Sequence, residues 1–290
     1  MFELILQALF SGLLIGGSYA LIALGQALVF GNMKIVNLAH GELVLLAAYL
    51  AYSCEIWWGL NPIVAIPLAM LVVCVLAVSI YLMVDKIRLD RELNSLLLTY
   101  GVAIVLTNVI LLIWKSDVHA SGTPWFQEAL VIKNLYSMNS EWFFFLVSML
   151  LLLVCGWWLR KSWYGRAVRA VASNRDAAKL MGVNPRQTEM LSFVVAGLLA
   201  TFAGVALFST TFIQPELGNL LTIKAFIITV LAGVGSIPGV FLASVLLGVV
   251  ESLTITLFSS SLQELTGMVL FLLVLFVMPN GLFGQKRRAA

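Results

Sequence analysis

The sequence predicts an all-α, polytopic integral membrane protein of about eight transmembrane helices, with broken or re-entrant segments among them. Three observations predict it. The 290 residues are 61% hydrophobic and only 11% charged, with a mean hydropathy of +1.03, whereas soluble domains carry roughly 25% charged residues. Apolar runs of the roughly 20 residues needed to cross a hydrocarbon core about 30 Å thick recur along the chain, parted by short polar breaks. The alternating pattern of a membrane barrel strand is absent, which leaves helices as the spanning element.

Taken in order, the spans are expected at 4–30, 41–58, 62–84, 93–114, 142–159, 190–213, 222–258 and 262–278. The start, MFELILQALF, has no basic n-region and no cleavage site, so the first span is expected to be its own signal and to stay. The run 222–258 is too long for one ordinary span and is interrupted by GVGSIPG, a cluster of turn-formers that ends a helix. It reads as two membrane segments with a break between them. Cys54, Cys74 and Cys155 all sit in apolar segments, and an odd count without ligand spacing suggests packing rather than a disulfide or a metal. Trp57, Trp58, Trp157, Trp158 and Trp163 fit interfacial belts.

Orientation follows from the basic residues of the short loops. The 160–189 connection holds Arg160, Lys161, Arg166, Arg169, Arg175, Lys179 and Arg186 against Asp176 and Glu189, and the tail adds Lys286, Arg287 and Arg288; both are assigned to the cytoplasm. Lys86, Arg88 and Arg91 fall on the same side by alternation, and the 115–141 loop falls outside. The alternation closes if the broken run dips in and returns as a hairpin. Residues 31–40 satisfy it equally as a cytoplasmic turn or as a re-entrant break.

The cytoplasmic stretch RAVASNRDAAKLMGVN reads as a short capped helix. Ser173 and Asp176 have capping-box spacing, Ala177, Ala178, Lys179, Leu180 and Met181 are good helix formers, and Gly182 followed by Pro185 stops the helix. Basic charge alone would be satisfied by a topology signal touching anionic lipid. The apolar Leu180 and Met181 at the end of a capped helix point instead to a docking surface.

Polar groups within the spans are few, and none form the rows of acids and bases expected of a proton-coupled carrier. Gln26 and Asn108 suit helix–helix hydrogen bonding, Thr107 adds a hydroxyl, Glu251 is expected near an interface, and Gly12, Gly16 and Gly17 let helices approach. His119, near Asp117 in the outer loop, is expected to be solvated. The stretch NLAHGE is different, because Asn37, His40, Gly41 and Glu42 stand at the mouth of a strongly apolar run. They either fasten a helix end at the interface together with Lys34, or belong to a broken segment whose backbone lines a path near the midplane. On the second reading Gly233, Gly235 and Ser236 of GVGSIPG are the counterpart break in the other half of the chain.

RAVASNRDAAKLMGVN resembles the coupling loop of permease subunits in bacterial ATP-binding-cassette importers for branched-chain amino acids, the LivH type. GLLIGGSYALIALGQALVFG, NLAHGE, VLAGVGSIPG and MPNGLFG add matches in order along nearly the whole chain. The resemblance implies an ABC importer permease fold in one transmembrane domain over 1–290, with 160–189 as the coupling loop and Ser173, Asn174, Asp176, Ala177, Ala178, Leu180, Met181 and Gly182 facing the ATPase. It also implies a homologous second permease, two ATPase subunits, an external substrate-binding protein and an inner-membrane location. No cofactor is expected on this chain, and no metal or nucleic acid. Since the sequence carries no G-x-x-x-x-G-K-[ST] phosphate loop, ATP is expected to be used by separate subunits.

Other function classes fit less well. A stand-alone carrier needs its own coupling residues and no docking helix. An intramembrane enzyme needs a compact catalytic set, yet His40 and Glu42, two apart on a helix, point in different directions. Branched-chain or other neutral amino acids are the expected solutes, and urea and short amides remain open because similar permeases carry them.

Overall fold

The computed structural model describes residues 1–132, 134–233, 235–278 and 281–283. The tail with Lys286, Arg287 and Arg288, and part of MPNGLFG, lie outside the described residues. The helices are α1 (Phe2–Met33), α2 (His40–Trp58), α3 (Ile66–Asp85, led in by a 3-10 turn at Pro62–Ala65), α4 (Arg91–Trp114), α5 (Pro124–Gln127) and α6 (Asn139–Lys161). They continue as α7 (Trp163–Ser173), α8 (Arg175–Leu180), α9 (Pro185–Thr210), α10 (Leu217–Ala232), α11 (Ile237–Leu257) and α12 (Gln263–Val277), the last preceded by a 3-10 turn at Ser260–Leu262. A two-stranded hairpin, β1 (Ala129–Ile132) and β2 (Leu135–Met138), lies in the outer loop.

Among the described residues, seven helical segments are long and apolar enough to cross a membrane: α1, α4, α6, α9, α11, and α3 and α12 with their leading turns. The 16-residue α10 is shorter, at a length of about 24 Å. The 222–258 run does break into two helices: Gly233 and Gly235 take positive φ between α10 and α11, and Ser236 accepts the Gly239 N–H to begin α11.

The two ends of the bundle differ in chemistry. At one end Arg91 and Arg175 pair with Glu189, and Arg186 pairs with Asp85; by the excess of basic residues this end is cytoplasmic. At the other end Gln7 on α1 donates to the Tyr136 carbonyl at 2.8 Å and accepts its N–H at 2.9 Å, fastening the outer hairpin. His119 is not a solvated loop residue. Its ring stacks on Tyr52 with centroids 4.0 Å apart, and its backbone pairs with Ile213.

Packing follows the small-residue logic of membrane proteins, in which van der Waals contact replaces the missing hydrophobic drive. A Cβ at Gly12 would stand 2.6 Å from Val249 Cα, and one at Gly16 2.7 Å from Val245 Cα, so α1 and α11 touch backbone to backbone. Likewise Gly197 of α9 faces Ala77 and Cys74 of α3. α1 thus packs on α11 as α9 packs on α3, the pairing expected where α1–α4 and α9–α12 are inverted counterparts. In each half, a long helix is followed by an irregular segment that turns back into the bundle and starts a new helix inside it.

Candidate functional site

The first irregular segment leaves α1 at Lys34, whose left-handed backbone (φ 57) ends the helix with its N–H on the Phe30 carbonyl. Residues 35–39 then run back alongside α1. A backbone without helical partners must be satisfied within the protein at membrane depth, and three helices supply the partners. The Gln26 amide of α1, oriented to suit both groups, donates to the Asn37 carbonyl (3.3 Å) and accepts the Asn37 N–H (3.2 Å). Thr99 of α4 accepts the Leu38 N–H at 3.1 Å, and Thr222 of α10 lies 3.2 Å from the Leu38 carbonyl. Asn37 Oδ1 accepts the Ala39 N–H at 3.1 Å, and the His40 N–H reaches the Asn37 carbonyl, closing the turn that launches α2.

His40 is buried and its Nε2 donates to the Ile22 carbonyl at 2.8 Å, far from either end of α1. Ile22 lies eleven residues before Met33, or about 16 Å along the helix. The interfacial reading of NLAHGE is therefore replaced by a re-entrant one: α2 begins deep in the membrane. There it meets α10. The Gly41 N–H donates to Thr222 at 2.8 Å, and a Cβ at Gly41 would overlap the Gly218 carbonyl oxygen, as one at Gly218 would overlap the Glu42 carboxyl. Two helix N-termini thus converge, and Glu42, in the first turn of α2, lies against both positive ends. Its Oε2 is buried without a hydrogen-bond partner among the described residues.

The counterpart of residues 34–39 in the second half is 211–216, which leads into α10. GVGSIPG does not take that place. A Cβ at Gly31 would come 3.6 Å from Gly235 Cα, near the cytoplasmic end of α1. Gly31 is nine residues beyond Ile22, about 13 Å along the helix. Gly233, Gly235 and Ser236 are thus not brought together with Asn37, His40, Gly41 and Glu42. The reason is that α10 starts inside the bundle and runs to the cytoplasmic end, so the Gly-rich turn at its far end closes a hairpin there.

A charged cluster lies on the outer side of this crossing. Glu251 is buried, not interfacial: Lys224 Nζ, Tyr19 Oη and Gln263 Nε2 each lie 2.8 Å from its Oε2. Asn108 bonds the Ile104 carbonyl of its own helix and faces outward, so it does not join helices within this chain.

On the cytoplasmic side α7 buries Tyr164, Ala167 and Val171 against the bundle. The Tyr164 hydroxyl donates toward the Thr188 carbonyl (2.9 Å) and lies 2.7 Å from Ser192 Oγ. Burial pushes its pKa up to about 12, with the Ser192 bond pulling the other way. α8 follows directly. Its N-cap is Asn174, not Ser173: the Asn174 side chain accepts the Asp176 and Ala177 N–H groups, whereas Ser173 is still the last residue of α7. Asn caps at least as well as Ser, and the extended Asn174 backbone breaks the two helices apart. Asp176 occupies the first turn, Ala178 is buried, and Gly182 (φ 82) ends the segment. Leu180 and Met181 are 88% and 84% exposed, an apolar pair held out from the protein. Glu189, only 1% exposed, receives Arg175 Nε at 2.8 Å and Arg91 Nη2 at 2.8 Å. That hydrogen bond holds the Arg175 guanidinium above its usual pKa.

Residues 8–278 match the family described as branched-chain amino acid transport system, permease component. This chain belongs to that family. It is 30% identical to the high-affinity branched-chain amino acid transport permease BraD of Pseudomonas aeruginosa, with 97% of this chain and 96% of that protein covered. The identity to LivH of Escherichia coli K12 is also 30%, over the same shares. A probable LivH of Methanocaldococcus jannaschii is 24% identical over 91% of this chain and 88% of its own. Among solved structures, a chain of PsaBC from Streptococcus pneumoniae in complex with Fab shares the fold, with a TM-score of 0.53, 15% identity, and 96% and 92% of the two chains covered. The protein is a multi-pass inner-membrane permease, a transport subunit and not an enzyme.

Sequence reasoning missed several residues of this permease. Thr99 and Thr222 are ordinary hydroxyls in apolar runs, and only the fold sets them on the re-entrant backbone. Lys224 was the detectable one: a lone cation inside a span calls for a partner, and Glu251 is the acid available on the next helix.

Proposed function

We propose that this permease carries branched-chain and related neutral amino acids inward, as one subunit of an ATP-driven importer with a second, homologous permease, two ATPase subunits and an external substrate-binding protein. The observation that carries the reading is the near full-length correspondence with relatives named for branched-chain amino acid transport. The path runs past Asn37, His40, Gly41 and Glu42, where the N-termini of α2 and α10 meet and Glu42 offers a carboxyl to the solute's ammonium group, with Gly233, Gly235 and Ser236 at its cytoplasmic end. The ATPase docks on α8. Leu180 and Met181 seat in it, and Ser173, Asn174, Asp176, Ala177, Ala178 and Gly182 shape the helix that carries them. ATP is bound and hydrolysed by the ATPase subunits, not by this chain.

The test is uptake of labelled leucine and labelled urea into vesicles holding this chain, with partner subunits and ATP added or withheld. Leucine uptake that needs both partners and ATP is the expected result. Urea uptake would replace the substrate, and leucine uptake by this chain alone without ATP would overturn the reading.

A further inference from the structure

A movement of α8 has to reach the membrane helices to do work, and the structure contains one charged link suited to that. Arg175 is the first residue of α8, Arg91 the first of α4, and Glu189 lies in the second turn of α9. The buried Glu189 carboxylate takes both guanidinium groups, Arg175 on Oε1 at 2.8 Å and Arg91 on Oε2 at 2.8 Å, with Arg91 Nη1 also 3.3 Å from Oε1. We propose that this Arg91, Glu189 and Arg175 clasp transmits displacement of α8 to the membrane crossing of α2 and α10. The proposal rests on the docking of α8 described above.

Geometry gives the clasp two routes inward. Along α4, Thr99 lies eight residues beyond Arg91, about 12 Å up the helix, and there it holds the Leu38 N–H of the re-entrant segment. Along α9, Ala196 lies seven residues beyond Glu189, about 10 Å up, where its carbonyl and the His40 ring both border Gly25. Both helices therefore connect Glu189 to the residues that fix the start of α2. Beside the clasp is a cavity of about 150 Å³, lined by Asn32, Lys34, Arg91, Ser173, Arg175 and Glu189 among others. It gives the guanidinium groups room to shift without displacing packed side chains. A fixed stabilising pair would be expected to be walled in. Arg175 instead has a side chain 45% exposed, and the buried Glu189 keeps Arg91 as a partner when Arg175 lets go, so the Arg175 bond can break and reform without leaving the carboxylate unpaired.

The test uses the complete importer in vesicles, with leucine taken up and ATP hydrolysed measured in the same preparation. Arg175→Ala is expected to assemble and hydrolyse ATP while uptake per ATP falls about 5- to 150-fold, the usual span of coupling between sites. Arg175→Lys is expected to restore part of it, and combining Arg175→Ala with Thr99→Val should cost less than the product of the single effects, because the two lie on one route. An unchanged uptake per ATP in Arg175→Ala overturns the proposal, and so does loss of ATPase association in that variant, which would make Arg175 a docking contact only. Leu180→Ser with Met181→Ser separates this outcome from failure of the docking reading. If that double variant binds the ATPase normally, docking through these two side chains is refuted. If it loses the ATPase while Arg175→Ala keeps the wild-type ratio, docking stands and the clasp is refuted.

Discussion

The starts of α2 and α10 meet at Gly41 and Gly218, yet they are secured by different chemistry. α2 is tied down by neutral groups: Gln26, Thr99 and Thr222 satisfy the backbone before it, and His40 reaches back to the Ile22 carbonyl. α10 is tied through its middle by a charge, Lys224 on Glu251, with Tyr19 and Gln263 donating to the same carboxylate oxygen. The lesson is that polar residues in a membrane span need not touch a substrate to be required. At the start of α2 they take over the hydrogen bonds that a helix would have made for itself, and at α10 an ion pair with two further donors on the same carboxylate oxygen fixes which face of the helix turns inward.

Removing the charge should have the largest effect. Glu251→Ala leaves Lys224 buried without its acid and is expected to cost about 3–5 kcal/mol, whereas Lys224→Met with Glu251→Leu should be much milder; thermal unfolding of the purified protein in detergent measures both. Next comes the point of contact. Gly218→Leu pushes a side chain into the Glu42 carboxyl and is expected to cost about 3 kcal/mol, with leucine uptake lost in parallel. Thr222→Val removes the acceptor of the Gly41 N–H, for about 1–3 kcal/mol, and should impair α2 more than α10; hydrogen exchange at the two helix starts would reveal the asymmetry. A control outside both regions is Tyr164→Phe, with an expected loss of about 1 kcal/mol. Because the folded Tyr164 pKa is raised to about 12 from an unfolded value near 10, its stabilisation is complete below pH 10 and is lost as pH rises toward 12. The phenylalanine variant should therefore lack that alkaline loss, as unfolding curves taken across this range would register.

Much of this fold is legible in the sequence. The 93–114 run became Arg91–Trp114, the 41–58 run became His40–Trp58, and the Gly–Pro cluster broke 222–258 as expected, because apolar length and turn-formers are local signals. The short helix of the 160–189 connection was legible too, apart from a cap one residue later. What stayed hidden is non-local. The second irregular segment, 211–216, reads TFIQPE, and its Thr211, Gln214 and Glu216 follow the end of an apolar run where an ordinary outer loop is equally expected; its backbone bridge from Ile213 to His119 shows only in the fold. The Lys224 and Glu251 pair spans 27 positions and two helices, and His119 is covered by Tyr52, 67 residues earlier in the chain, through stacking that no spacing rule reports. The choice between a turn and a re-entrant segment at 31–40 was decided by one bond, His40 to Ile22, which only a folded chain contains.

The start of α2 inside the membrane is what brings it against α10. The most direct measurement places a spin label at Leu38→Cys, in a background without Cys54, Cys74 and Cys155, and compares its accessibility to oxygen and to a water-soluble nickel chelate with labels at Lys34→Cys and Lys86→Cys. A Leu38 label at near-central depth, well apart from the two lysine positions, is the predicted result. A Leu38 label at the same interfacial depth as Lys34 and Lys86 would contradict it.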